Sequence, residues 1–286
     1  MSNYFTSFFT PNFKPYLKDL VKSVKKFGIK RTIIFSIRDL KKNYFYNKHY
    51  TTFQQKTGFG YWLWKPFFVK TALDKINFGD ILFYVDAASL IIDNPKPLID
   101  IAQTNESGIV AFDAWPLRNS QWTKRDAFIN LNCDEDTYWS AKHVIATLFL
   151  IRKTDFTVNF INEWLAACEN LQSLSDHPNI SGKDNLPDFV SHRMDQSLLS
   201  ILIRKYNIET YRNPSKWGNF LKMENFRIPG EHISSPYGLL PHINEYSSKP
   251  YINSPYATIM EFNRRVYQMK KLSLKQKIKQ YFSNAC

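Results

Sequence analysis

Cysteine is scarce in this chain, and the sequence has neither a leader pattern nor a long apolar run. Its three cysteines, Cys133, Cys168 and Cys286, are unevenly spaced and form no CxxC pair. This spacing argues against a disulfide framework and a structural zinc site, and it favours a reducing compartment. No basic segment followed by an apolar core opens the sequence, and no run of ~18 apolar residues occurs. We therefore expect a cytoplasmic protein that is neither secreted nor membrane-spanning.

Several catalytic motifs are also absent. The sequence contains no P-loop and no GxGxxG, because the glycines Gly58 and Gly60 precede an aromatic run and do not follow a strand. ATP hydrolysis and dinucleotide chemistry therefore lose support. There is no GxSxG elbow, and no cysteine has a recognisable histidine-bearing signature around it. Covalent acyl chemistry is disfavoured for the same reason.

What the sequence does contain is length, aromatic residues and positive charge. A chain of 286 residues can bury a sizeable core, as one large α/β domain or as one domain with an appendage. An aromatic share of 16% beside a charged share of 22% argues against global disorder. The net charge of +13 predicts attraction to polyanions, which include nucleotide phosphates, nucleic acid and anionic membranes. Charge alone does not choose among these partners.

Strand-like and helix-period segments alternate in the first third of the sequence. We predict strands at residues 4–9, 32–37 and 81–85, and helices at residues 16–24 and 67–76. Residues 81–85 are apolar throughout, which is typical of a strand that is buried on both faces and hence of a parallel sheet. The alternation of strand and helix also builds parallel sheets. The fold class that follows is α/β.

The rest of the chain continues this pattern less regularly. The predicted elements are a helix at 97–104, a strand at 108–112, a helix starting at Thr123, a strand at 142–151, an amphipathic helix at 156–168 and a helix within 191–206. Residues 41–56 could form a helix or a mobile loop. Residues 171–187 are rich in Ser, Asn, Asp and Pro and predict a surface loop, of the kind that often forms a functional lid.

Asp86 ends the apolar strand of residues 81–85. In open α/β sheets ligands bind at the carboxyl ends of the strands, so an acid there is a candidate metal or hydroxyl ligand. The alternative is that Asp86 only caps the turn that follows the strand. Spacing alone does not decide between these two interpretations.

Three further clusters combine basic, aromatic and acidic residues near predicted strand ends and helix starts. They are Trp62, Trp64 and Lys65; Trp122, Lys124, Arg125 and Asp126; and His192, Arg193, Asp195 and Gln196. Together they would suit a phosphorylated, ring-bearing ligand. Asp195 also has a structural explanation, since an acid in the first turn of a helix contributes about 0.5–1 kcal/mol.

The C-terminal residues form a segment of one charge sign. After Glu261 the chain has no acid, and basic residues alternate with apolar ones. This pattern is typical of a basic amphipathic helix, which could lie on an anionic membrane surface or pack, solvated, on the domain. We divide the chain into a domain at residues 1–258 and a basic tail at residues 259–286.

The segment YWLWKPFFVKTALDKINFGDILFYVDAAS resembles bacterial cell-surface polysaccharide glycosyltransferases, of capsule or lipopolysaccharide, that carry a YWxWKP motif, a helix and a strand ending in a DAG- or DxD-like acid. WTKRDAF and HRMDQSLLSIL are similar to later segments of the same group. The resemblance covers roughly residues 4–210. It implies the A-type glycosyltransferase fold, a Rossmann-like, mostly parallel sheet flanked by helices, with the basic helical tail added. The implied donor is a nucleotide sugar, UDP-linked or similar, and the implied acceptor is a saccharide or lipid-linked saccharide.

The resemblance also implies roles for individual residues. Asp86 would hold a divalent metal, Mn²⁺ or Mg²⁺, or the donor ribose, and Asp195 with Gln196 would face the donor sugar. Lys65 would neutralise the pyrophosphate. The other expected donor contacts are Trp62, Trp64, Ala87, Ser89, Lys124, Arg125 and Arg193. The acceptor hydroxyl must lose a proton, for which Asp126 and Asp195 are the candidate bases in an inverting enzyme; a retaining enzyme can work without a protein base, and the sequence does not decide between the two.

One position departs from the family pattern. A DxD motif needs a second acid two residues after the first, and Ala88 occupies that position here. A single carboxylate binds Mg²⁺ or Mn²⁺ poorly without substrate phosphates. Either His192 or another acid completes the metal site, or basic side chains replace the metal.

Two other classes of function remain open. A nucleic-acid-binding protein would explain the charge and the aromatic residues, but RRM-like and helix-turn-helix signatures are missing and no nucleic-acid partner is expected. A non-catalytic relative could keep the fold and lack the metal site. The favoured prediction is a glycosyltransferase located in the cytoplasm, with possible peripheral contact between the basic tail and the inner membrane face.

Overall fold

The protein is described from a computed structural model that covers residues 1–215, 218 and 251–262, with the backbone alone at 115 and 116. The part of the predicted tail that follows residue 262 lies outside the described residues. Within them, no helix is long and apolar enough to cross a membrane.

The described strands form one large sheet and one strand pair. Their bounds are β1 Asn3–Phe9, β2 Arg31–Ser36, β3 Ile81–Val85, β4 Ser89–Ile91, β5 Ile109–Arg118, β6 Lys142–Val144, β7 Leu148–Arg152, β8 Thr210–Tyr211 and β9 Met260–Phe262. The large sheet has the order β2-β1-β3-β7-β5-β6, with β8 beside β5, and β4 pairs with β9. Strand β1 is parallel to β2 and β3, whereas β7 is antiparallel to β3 and β5.

Helices cover both faces of this sheet. Their bounds are α1 Lys14–Lys26, α2 Ile37–Lys41, α3 Tyr44–Lys48, α4 Tyr50–Phe53, α5 Gly58–Tyr61, α6 Trp64–Asp74, α7 Lys96–Thr104, α8 Asn119–Trp122, α9 Arg125–Asn130, α10 Asp136–Trp139, α11 Asp155–Glu169, α12 Leu171–Leu174 and α13 Asp195–Lys205, and a 3-10 turn at Pro11–Phe13 precedes α1. The predicted α/β fold, a sheet flanked by helices, is confirmed.

Strand β3 lies at the centre of two hydrophobic cores. Leu82 and Tyr84 pack on the side of the sheet that carries α6, α11 and α13. Ile81, Phe83 and Val85 pack on the opposite side, with α1 and α7. Burial on both faces explains the continuous apolar run. It does not fix the direction of both neighbours, however, because helices can cover a mixed sheet equally well. In the structure β3 is parallel to β1, as predicted, but antiparallel to β7.

The single strand predicted at residues 142–151 is wrong. The chain forms β6 and β7 there, separated by residues 145–147, and both strands pair with β5. Ile145 donates its N–H to the carbonyl of Phe112, and the Thr147 carbonyl accepts the Asp86 N–H at 2.8 Å. Residues 145–147 are Ile, Ala and Thr, so neither glycine nor proline marks the break in the sequence. This interruption brings the backbone of residues 145–147 to the end of β3.

Other segments differ from the predictions in detail. Residues 41–56 contain the short helices α3 and α4, and the helix predicted from Thr123 begins instead at Arg125. The predicted loop at 171–187 starts with the short helix α12. Met260–Phe262, which the division of the chain assigned to the tail, pairs with β4. Cys133 and Cys168 are buried free thiols.

Candidate active site

Asp86 lies at the carboxyl end of β3 and is held there by two hydrogen bonds. The Tyr84 hydroxyl donates to Asp86 Oδ1 at 2.6 Å, and the Asp86 N–H donates to Thr147. The carboxylate is 29% exposed, so it is fixed in position and still open to solvent. Asp86 therefore has a place where a ligand can reach it, as strand-end acids of open α/β sheets do.

Lys65 points its ammonium at three oxygens that come from separate parts of the chain. Lys65 is in the first turn of α6, beside Pro66. Its Nζ donates to the Ala146 carbonyl at 3.1 Å and lies 3.2 Å from Asp195 Oδ2 and 3.4 Å from Asp86 Oδ1. The Lys65 side chain is only 4% exposed. Lys65 and Asp86 belong to the first segment quoted for the family resemblance, and Asp195 belongs to the last. Both segments, and the backbone of Ala146 from between them, thus meet at one buried cation.

Two aromatic rings flank this cation. The Nζ of Lys65 lies 5.7 Å from the ring centroid of Tyr84 and 5.9 Å from that of Trp64. At these distances the ring faces attract a cation. The Trp64 ring in turn stacks on Phe8 at a centroid distance of 4.1 Å, which holds it in place.

The charges of the cluster are set by burial and by one another. Burial is the largest influence on Lys65 and favours its neutral form, but the charges of Asp195 and Asp86 outweigh it and raise the pKa of Lys65. Burial raises the pKa of Asp195 to about 6, the Lys65 charge opposes this rise, and the Asp86 charge adds to it. Lys65 therefore stays protonated, and Asp195 changes charge close to neutral pH.

Asp195 is buried at the start of α13. Its Oδ2 makes the ion-pair contact with Lys65 but no hydrogen bond of normal alignment. The backbone carbonyl of Asp195 accepts from the Trp164 indole at 3.0 Å. Met194, directly before Asp195, has φ 50° and ψ −122°. Such conformations cost about 1–3 kcal/mol and are found at sites where the surrounding structure imposes them.

A second strained segment precedes Lys65. Phe59, Tyr61 and Trp62 have φ values of 53°, 57° and 61°, in the region that favours glycine. The Trp64 indole donates to the Gly58 carbonyl at 2.9 Å and closes this turn. Trp62 is half-buried. The aromatic composition of the segment marked it as unusual, but the strain is visible only in the backbone.

The predicted cluster around Asp126 forms a different structure. The buried Asp126 carboxylate accepts from the N–H of Ile180 at 2.8 Å, from the Gln172 amide at 3.0 Å, and from the N–H and hydroxyl of Ser181. Burial acts to raise its pKa, but these hydrogen bonds, led by the Ser181 hydroxyl, lower it overall. Asp126 thus anchors the loop that follows α12, and a base with a lowered pKa and occupied acceptors is poorly suited to proton transfer.

Lys124 and His192 also belong to this anchoring structure. Lys124 donates its Nζ to the His177 carbonyl at 2.7 Å and its N–H to His192 Nδ1 at 3.2 Å. Burial, with a contribution from the Lys124 charge, lowers the pKa of His192 to about 3, so the ring is neutral. His192 therefore contacts Lys124, and the described contacts do not join it to Asp86.

The family resemblance implies a divalent metal, which we tested against the residues present. In the part of the chain that the structure describes, no three His, Cys, Asp or Glu side chains are grouped so that they could hold a metal ion. The position between the two nearest carboxylates, those of Asp86 and Asp195, is taken by Lys65. These residues do not fit a resident divalent ion.

The remaining predicted residues lie around the cluster. Gln196 accepts the Ala146 N–H at 3.3 Å, and the Arg193 guanidinium lies 4.2 Å from the Trp122 ring centroid. Arg125 is paired with Asp134 at 2.5 Å. Ala87 and Ser89 are buried beside Asp86. The structure thus unites Lys65, Asp86, Asp195 and Gln196 and places Lys124, Asp126 and His192 in the neighbouring loop anchor. The backbone of Ala146, which sequence reasoning missed, completes the site.

Comparison with known proteins gives no family assignment. No protein-family model and no curated protein matches the chain. Similar solved structures include the WbbM bifunctional glycosyltransferase, with 10% identity and a TM-score of 0.42. The match covers 70% of this chain and 37% of that one. A glycosyltransferase involved in the glycosylation of the major capsid of PBCV-1 has 8% identity and a TM-score of 0.33, over 59% of this chain and 68% of that one. Mouse xyloside xylosyltransferase 1 has 9% identity and a TM-score of 0.42, over 74% of this chain and 84% of that one. All three are glycosyltransferases, but a likeness of this degree gives no evidence on activity, which has to be argued from the site.

Proposed function

We propose that this protein is a glycosyltransferase that moves a sugar from a nucleotide-sugar donor, UDP-linked or similar, to a hydroxyl of a saccharide or lipid-linked saccharide. One observation carries the proposal. Lys65 of the YWLWKP segment, Asp86 of the DAAS segment and Asp195 of the HRMDQ segment meet through a single buried ammonium. Segments that resemble one enzyme group are expected to converge in space if they form that group's site.

The proposed chemistry needs one base. Transfer forms a bond from the acceptor oxygen to the anomeric carbon and breaks the bond from that carbon to the donor phosphate, whose diphosphate leaves with the electron pair. The acceptor hydroxyl gives its proton to ionised Asp195, which lies against Lys65 and has a pKa of about 6. A base whose pKa lies near the working pH is efficient in this role. This assignment corresponds to an inverting reaction.

Other residues bind and orient the donor in this proposal. Asp86, partly exposed at the strand end, binds a hydroxyl of the donor ribose. Arg193, two residues before Asp195, stabilises the negative charge that develops on the leaving diphosphate. Lys65 keeps Asp195 ionised and in place; its ammonium is already shared by two carboxylates, so pyrophosphate neutralisation is assigned to Arg193 instead.

Three tryptophans near the site are inaccessible for base stacking, whereas Tyr44, Tyr50 and Phe78 elsewhere on the protein are exposed. Proteins that bind single strands stack bases on accessible aromatic side chains. Trp64, Trp122 and Trp164 are all buried. Contact between the basic tail and an anionic membrane stays a prediction, because the part of the tail after residue 262 lies outside the described residues.

The test is a panel of nucleotide sugars assayed for hydrolysis and for transfer, with and without Mn²⁺. We expect one donor to be hydrolysed by the wild type and not by Asp86→Ala or Asp195→Asn. Asp100→Ala is the matched control, because Asp100 is a surface acid that pairs with Lys96 on α7. Folded wild type that neither binds nor hydrolyses any donor would contradict the proposal, and binding without turnover would identify a non-catalytic relative.

A further inference from the structure

The surroundings of Lys65 Nζ have the composition of a cation-binding site. Its three nearest oxygens are the Ala146 carbonyl, Asp195 Oδ2 and Asp86 Oδ1, at 3.1, 3.2 and 3.4 Å. Two carboxylates and a carbonyl are the oxygen ligands that hard divalent cations prefer. An ammonium group has three N–H donors and no acceptor, so it matches three oxygens equally well.

The distances to the surrounding oxygens distinguish a divalent metal ion from the Lys65 ammonium as the cation of this site. Mg²⁺ binds oxygen at about 2.0–2.1 Å and demands octahedral geometry, whereas the ammonium sits more than 3 Å from each oxygen. A divalent ion that bridged Asp86 and Asp195 would have to lie where the Nζ lies. The rings of Tyr84 and Trp64 flank the Nζ and attract a cation through their faces. The Trp64 ring has no atom that could serve as a metal ligand.

We propose that Lys65 Nζ is the resident cation of this site and takes the place of a divalent metal between Asp86 and Asp195. The metal-free wild type is then the working form of the protein, and the ammonium supplies the positive charge that holds the two carboxylates in position. The functional meaning of this inference rests on the proposed transferase activity. The occupancy of the site does not, because it can be measured without a donor.

The Ala88 position supports the same interpretation. The DxD-like pattern lacks its second acid there. Asp195 is the acid that lies near Asp86 in space, and the Lys65 ammonium lies between the two carboxylates. Removal of the lysine charge would leave two carboxylates and a carbonyl facing one another. We therefore expect that Lys65→Met creates a divalent-metal site that the wild type does not have.

The experiment is a Mn²⁺ titration followed by the electron paramagnetic resonance signal of the free ion. We expect no saturable Mn²⁺ binding to the wild type. Lys65→Met should bind one Mn²⁺ saturably, with an affinity at least tenfold higher than any residual binding to the wild type. The double variant Lys65→Met, Asp195→Asn should lose this binding. Circular dichroism confirms that each variant is folded before titration.

Two results would overturn the inference. One is saturable binding of a Mn²⁺ ion to the wild type that Asp195→Asn abolishes, and the other is a folded Lys65→Met that binds none. If Lys65→Met does not fold, the wild-type titration and its Asp195→Asn control still decide the question. Donor hydrolysis is measured separately in EDTA: unchanged hydrolysis supports both proposals. Absence of hydrolysis under all conditions counts against the transferase alone, since the titration needs no donor.

Discussion

The ammonium of Lys65 lies 3.2 Å from a carboxylate oxygen of Asp195, and both side chains are buried. Lys65 is in the first turn of α6, and Asp195 is the first residue of α13. Their contact therefore fixes the starts of two helices against each other at the end of β3. The same contact sets the charge of the residue that we propose as the base, so stability and chemistry depend on one ion pair.

The two candidate bases can be separated by matched substitutions. Asp195→Asn should reduce kcat about 10²–10⁴-fold, because general-base catalysis contributes that much. Asp126→Asn should instead reduce stability by about 1–3 kcal/mol, because an amide placed against the donors of Ile180 and Ser181 leaves buried groups unpaired. Initial rates and urea denaturation measure the two effects. A larger fall in kcat for Asp126→Asn than for Asp195→Asn would transfer the base role to Asp126.

The pH dependence of kcat follows from the pKa of Asp195. The base is active when ionised, and its pKa is about 6. Activity should therefore be level above this pH and fall about tenfold for each pH unit well below it. Rate measurements from pH 4.5 to about 8 test this sign. Any residual activity of Asp195→Asn should lack the acidic limb, and a wild-type rate that rises on acidification would exclude Asp195 as the base.

Lys65→Met should be strongly destabilising. Removal of one partner from a buried ion pair leaves uncompensated charge and costs about 3–5 kcal/mol. The control is Lys70→Met in the same helix, where the Lys70 side chain is 36% exposed and pairs with Asp74 at 2.6 Å. An exposed pair of this spacing is worth about 0.3–0.5 kcal/mol. Urea denaturation of both variants gives the comparison, and equal losses would mean that the Lys65 charge is not buried as described.

Gly58→Ala should damage the turn that precedes Lys65. Gly58 has φ +56°, and a Cβ added there would lie 2.1 Å from the Trp62 ring. The control is Gly28→Ala, at φ +90° with no atom within 4 Å of the added Cβ. Both variants carry a backbone cost of about 1–2 kcal/mol, and Gly58→Ala should lose about 1–3 kcal/mol more through overpacking.

Tryptophan fluorescence and thermal denaturation would report the Gly58→Ala effect. The ring shift should also weaken the hydrogen bond from Trp64 to the Gly58 carbonyl and lower the rate of transfer. Equal stability of the two glycine variants would show that the Trp62 ring yields without cost.

Local patterns were sufficient to predict most of the elements. The apolar run of β3, the helix that begins near Pro66 and the amphipathic helix α11 all have periods and boundaries that can be read from neighbouring residues. The break at residues 145–147 could not be read in this way, since it contains neither glycine nor proline. Its backbone groups turn toward the site because Asp86, Lys65 and Gln196 bond to them there.

The sequence by itself determined the α/β class, the end of β3 at Asp86 and the set of charged residues from which a site could be built. Only the tertiary structure decided how these residues are paired. Lys65 was predicted to face a pyrophosphate, but it lies between two carboxylates, and Asp126 accepts hydrogen bonds from a loop. The physical reason is that periodicity reports burial and local conformation, whereas the partner of a buried charge depends on which distant segments the packed helices and strands bring to it.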